Sequence, residues 1–129
     1  MTGLQPLAAL LGRILIAAVF LWSGYGKVTD FAGNVGYATS VNMPLPQVGV
    51  AIGAVIELLG STLLILGYQT RLIALIMSGF AIATALFFHR DFSQFEQAIN
   101  FMKNLSIAGG LLQIVAFGGG RYSIDARRG

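Results

Sequence analysis

Residues 12–27 read GRILIAAVFLWSGYGK, with 13 uncharged and mostly apolar residues between Arg13 and Lys27. At 1.5 Å per residue this run covers ~20 Å of helix, most of a hydrocarbon core. At 100° per residue Arg13, Ala17, Phe20, Gly24 and Lys27 fall within about 40° of one line. The two basic residues therefore share a face with small residues between them, and such a face is suited to other helices rather than to lipid.

The rest of the chain extends this pattern. Of 129 residues, 56% are hydrophobic and only 10% charged, against roughly 25% charged in an ordinary soluble domain. A soluble fold of this length would lack the charge to wet its surface, so the bilayer is the expected solvent. Four apolar segments, about 7–28, 47–66, 71–88 and 101–117, are each near the ~20 residues a span requires. They predict a single all-α domain, an integral membrane bundle of four transmembrane helices running up-down-up-down. The stretch 29–46 has the composition of a loop, and Gly67–Thr70 is a tight link that makes its flanking helices antiparallel neighbours. In HRDFSQFEQAIN, residues 89–100, Phe92, Phe95 and Ile99 recur at helical spacing and predict a short interfacial helix between the third and fourth spans.

Composition also removes function classes. The chain has no cysteine and one histidine, His89. Thiol chemistry, an iron–sulfur cluster and a haem held by two histidines are excluded for one copy, and no metal site is expected. The net charge of +3 comes from scattered basic residues, so no nucleic-acid partner is expected. Met1–Pro6 carries no positive charge and Arg13 interrupts the apolar run, which argues against a cleaved signal peptide. With four spans both termini share a side. Arg13, Arg71, Arg121, Arg127 and Arg128 lie there, against Lys27, Arg90 and Lys103 opposite, which predicts cytoplasmic termini.

Ionisable groups inside apolar spans mark candidate sites. Glu57 sits at the centre of the second segment with Gly53, Gly60 and Ser61 on its side. The third offers Arg71, Ser78, Ile82, Ala85 and His89 on one stripe, and the fourth Ser106, Gly110 and Gln113. Helix depth puts Arg13 within reach of Glu57, with Gln113 at a similar level. Two readings follow: a buried structural ion pair with a hydrogen bond from Gln113, or a polar cavity in which Glu57 accepts protons. Near the outer end Lys27, His89, Asn104 and Ser23 collect. Lys27 either snorkels to the headgroups or turns inward, and His89 either sits at the interface or relays a proton to a quinone carbonyl. The candidate catalytic groups are Glu57, Lys27 and His89; the candidate cofactor-binding groups are Arg13, Glu57, Gln113, Lys27, His89 and Asn104.

GRILIAAVFLWSGYGKVTDF, Pro44, IELLGSTLLILGYQTRLIAL, FFH and FMKNLSIAGGLLQIVAFGGGRYSID together resemble the DoxX family of small membrane proteins, over about Leu11 to Asp125. The resemblance implies a four-span bundle in the bacterial cytoplasmic (inner) membrane. It further implies association with quinone-linked or thiol-redox, oxidative-stress assemblies, as a subunit whose own catalysis is undecided. No intrinsic cofactor is implied beyond a bound quinone, and the expected partners are the bilayer, redox proteins and further copies of the chain. The family's recurrent positions match Arg13, Gly24, Lys27, Glu57, Gly60, Gly67, Arg71, His89, Lys103, Asn104, Gly110, Arg121, Ser123 and Asp125. Where members often carry GPG before the last motif, this chain has glycine at 119. Permeation of a small solute or proton through an oligomer, and a non-enzymatic membrane scaffold, are the two alternatives.

Overall fold

The computed structural model describes residues 3–128, so Met1, Thr2 and Gly129 lie outside it. The described chain is all-α, in the order α1 (Leu4–Thr29), α2 (Phe31–Ser40), α3 (Pro46–Leu66), α4 (Thr70–Phe88), α5 (Phe95–Phe117) and α6 (Ile124–Arg128). Three of these, α1, α3 and α4, are long and apolar enough to cross a bilayer. Pro46 starts α3 at a position where its missing N–H costs nothing. Gly67, at φ 75°, ends the same helix in the left-handed region that glycine adopts freely.

Two elements differ from the sequence expectation. Residues 31–40 form helix α2 instead of a loop. Asp30 caps its start, accepting from Gly33 N at 3.2 Å, and Asn34 Nδ2 donates to Gly26 O and Asp30 O. Those bonds, and Ala38 buried against the bundle, outweigh the poor helix propensity of Gly33 and Gly36. The second difference is the interfacial helix, which does not stand alone. Helix begins at Phe95 and continues unbroken into α5, because no glycine or proline interrupts residues 95–108. Phe92 stays in the preceding turn, its ring edge-on to Phe101 at 5.1 Å.

The packing runs α1 on α3, α3 on α4 and α4 on α5, with α5 touching α1 only narrowly. Small residues set the approaches. A Cβ on Gly24 would stand 2.8 Å from Leu58 Cγ, and one on Gly60 3.1 Å from Met77 Sδ. The core is Ala17, Phe20, Leu64, Ala74, Met77, Ala81, Ala108 and Leu111, alanine-rich because close backbones leave little room between helices. Ser78 Oγ donates to Ala108 O across α4 and α5. On α4, Arg71 and Ile82 face outward, away from the buried Ser78 and Ala85. The α5 face also differs from expectation. Asn104, Ala108 and Leu111 turn inward, while Ser106 and Gln113 are exposed. Ser106 Oγ donates to Met102 O of its own helix at 3.0 Å, so it needs no partner from the bundle.

Candidate functional site

The close approach at Gly24 brings the last turns of α1 against the middle of α3, where a Cβ on Gly24 would lie 3.2 Å from Glu57 Cβ. Lys27, one turn further on, reaches back along the helix. Its Nζ donates to Ser23 Oγ at 2.9 Å and stands 2.7 Å from Glu57 Oε1. The Glu57 contact is a close ion pair without the angles of a hydrogen bond, so Oε1 keeps unused acceptor capacity. The Glu57 side chain is 5% exposed and that of Lys27 18%. Lys27 therefore turns inward rather than snorkelling freely.

Beside this pair lies a cavity of about 310 Å³ to which all of α1 to α5 contribute. That is near the lower end of the volumes seen for small-molecule sites. Its walls include Phe20, Phe80, Phe88 and Ile107, and its polar groups include Lys27, Glu57, His89 and Asn104. His89 Nδ1 is buried and has no hydrogen-bond partner among the described residues. Asn104 Nδ2 is committed to α4, donating to Ala81 O at 3.2 Å and Thr84 Oγ1 at 3.0 Å. Tyr37 of α2 stacks on Phe88 of α4 at 5.2 Å and closes one side. The structure thus gathers Lys27, Glu57, His89 and Asn104 around one space. Asn34 and Tyr37 belong to it as well, and the sequence hid them because α2 was expected to be a loop.

Arg13 and Gln113 do not join this site. Gly24, eleven residues after Arg13, is the residue level with Glu57, so Arg13 lies ~16 Å lower along the axis. There it is buried, its Nη1 donating to Leu64 O and Ile65 O at 2.8 Å each and its Nη2 to Tyr122 O. It neutralises carbonyls at the carboxyl end of α3 that the helix itself leaves unpaired. Arg13 therefore does not pair with Glu57, and Gln113 faces out of the bundle.

The same end carries a clasp. Asp125 Oδ1 accepts from Gln69 N at 2.8 Å, and Oδ2 accepts from Thr70 N and Thr70 Oγ1 at 2.7 and 2.6 Å, capping the first turn of α4 from the C-terminal segment. Burial works to raise the Asp125 carboxyl. The hydroxyl of Thr70, the N–H groups of Thr70 and Gln69, and the charge of Arg128 outweigh it, so the group lies below the usual carboxylate range. A depressed folded value means that the clasp is at full strength above the unfolded pKa of about 4. It is lost as pH falls through the folded value. Asp125→Asn is expected to loosen the segment at neutral pH by about 1 kcal/mol, the usual worth of such a cap. Hydrogen exchange over residues 121–128 reads this. Equal protection in both proteins, unchanged between pH 7 and 3, would remove the clasp from the account.

The DoxX family profile matches residues 8–90, which hold Lys27, Glu57 and His89. The chain is 36% identical over 125 residues to the inner membrane protein YqjF of Escherichia coli strain K12, covering 97% of this chain and 95% of that protein. It is 33% identical over 128 residues to the inner membrane protein YphA of the same strain, covering 95% and 91%. No solved structure matches the chain.

Proposed function

The chain belongs to the DoxX family, and from that premise we propose that it is an inner-membrane subunit of a quinone-linked redox assembly which holds a quinone headgroup in the Lys27–Glu57 cavity. The observation that carries this is the unpartnered, buried His89 Nδ1 sharing an aromatic-walled cavity with a charged pair. A quinone carbonyl needs a donor, and Lys27 supplies one. A quinol hydroxyl needs an acceptor, and Glu57 Oε1 has spare capacity for it. His89 Nδ1 donates or accepts according to its tautomer. In an apolar pocket such groups fix orientation and pass protons. A bound quinone supplies the electron chemistry; the protein binds, orients and exchanges protons at these atoms.

In this reading α5 is the fourth span and both termini face the cytoplasm, supported by the five basic residues at that end against three at the other. The layer of Ala17, Phe20, Leu64, Met77 and Leu111 fills the interior between the cavity and Arg13. It favours a site closed at its inner end over a path through the bundle.

Purification from native membrane followed by extraction and mass spectrometry is expected to recover quinone near one per chain. A short-chain ubiquinone or menaquinone should raise the thermal midpoint of stripped protein. Phe80→Trp, which fills the cavity, should abolish both effects while the protein still folds. Recovery of the chain without quinone, together with no thermal shift, would overturn the proposal.

A further inference from the structure

At the opposite end from Lys27 a second cavity, of about 380 Å³, opens between the start of α4 and the loop Gly118–Gly120. Most of its polar lining is already engaged. Asp125 accepts three hydrogen bonds, and Ser123 Oγ donates to Gly120 O and accepts from Ala126 N. Two donors are left over. Arg71 is exposed and has neither an ion pair nor a side-chain hydrogen bond among the described residues. Gly119 is buried, and its N–H has no acceptor among them, an arrangement that folded proteins avoid unless a further partner supplies one.

The backbone makes room for that guanidinium. Gly118 adopts φ 78°, ψ −174°, a region open essentially to glycine alone. A Cβ there would stand 3.3 Å from Arg71 Nε and 3.5 Å from Nη2. Leu72, which lines the cavity, leads into an exposed apolar strip continued by Leu75 and Ile76. A cationic fork and an unmatched N–H thus adjoin a greasy track.

We infer that this cavity seats the phosphate of an anionic lipid, held by the Arg71 guanidinium and the Gly118–Gly120 backbone, with an acyl chain along Leu72, Leu75 and Ile76. Arginine suits the task because its planar donors match phosphate oxygens in pairs. Arg121, Arg127 and Arg128 in the adjoining segment add to the attraction. Asp125, the acidic group facing the cavity, is turned onto the start of α4, where it accepts three hydrogen bonds. The continuity with the apolar strip selects a lipid over free phosphate. The site is independent of the quinone cavity and stands or falls without it.

The test uses the full chain in neutral detergent, with native mass spectrometry against phosphatidylglycerol and phosphatidylcholine of the same acyl chains. Wild type is expected to retain phosphatidylglycerol preferentially. Arg71→Gln should lower that retention about fivefold, the factor for one arginine at an anionic surface, with the lipid-free thermal midpoint unchanged. Arg71→Lys keeps the charge without the fork and should fall between. Equal retention of the two lipids, or undiminished phosphatidylglycerol on Arg71→Gln, would overturn the inference. Thermal protection by millimolar inorganic phosphate equal to that of the lipid would overturn its lipid part.

Discussion

Arg13→Met is expected to lower the stability of the protein in mild detergent by about 3 kcal/mol, because it leaves backbone carbonyls without their donor. One guanidinium serves three carbonyls, those of Leu64, Ile65 and Tyr122. Each carbonyl left without a donor costs roughly 1–3 kcal/mol where water does not reach it. The arginine also fixes the α3–α4 link. A Cβ on Gly67 would run into Ser123 Cβ and stand 2.8 Å from Arg13 Nη1, so turn, tail and guanidinium are packed as one unit. Arg13→Lys should recover part of the loss, since an ammonium placed near the carbonyls keeps the charge but cannot span three acceptors with one planar group. The thermal midpoint should fall by roughly 10 °C or more in the methionine variant. Trypsin should then cut at Arg121, because release of Tyr122 O frees the segment. A midpoint and a tryptic pattern both like wild type would show that the three bonds contribute little.

The contrast between Arg13 and Lys27 shows where the sequence informs and where it does not. Angular position along one helix is a local property, and it put both residues on the inward face of α1. Depth against a partner helix is not local. The register of α1 on α3 is set by the contact of Gly24 with Leu58 and Glu57, and that contact hands Glu57 to Lys27 instead of Arg13. Nothing in the spacing within either helix encodes this choice.

Helix α2 was hidden for a related reason. Gly33, Asn34 and Gly36 carry loop propensities, and only the cap at Asp30 together with packing on α3 turns them into helix. On α5, polarity misled: Ser106 satisfies its hydroxyl within its own helix and can face outward. Asn104, whose amide needs Ala81 O and Thr84 Oγ1, is held inward. The first three apolar runs, with Pro46 and Gly67 as punctuation, were legible as helices long and apolar enough to cross a bilayer, because span length and helix ends are local features.

The Lys27–Glu57 pair separates support from function through a double-mutant cycle. Lys27→Met leaves a carboxylate in a site where the Glu57 side chain is 5% exposed, and should cost about 3–5 kcal/mol. Glu57→Gln should cost less, because Lys27 is more exposed and keeps its bond to Ser23 Oγ. In the double variant no charge is stranded. Its stability should return to within about 1 kcal/mol of wild type, which makes the coupling at least about 2 kcal/mol. Additive losses would mean that the two groups do not sense each other and that the 2.7 Å contact carries no energy. The double variant also decides what the pair is for. It removes the ammonium and the carboxylate from the cavity while leaving the fold intact, so a site that holds quinone through this charged pair should retain much less of it, even though the glutamine amide can still hydrogen-bond. Retention of native quinone by the folded double variant would reduce the pair to a structural tie between α1 and α3 and leave His89 and Asn104 among the remaining polar contacts. Loss of quinone at restored stability is the result that a binding role requires and that a purely structural pair cannot produce.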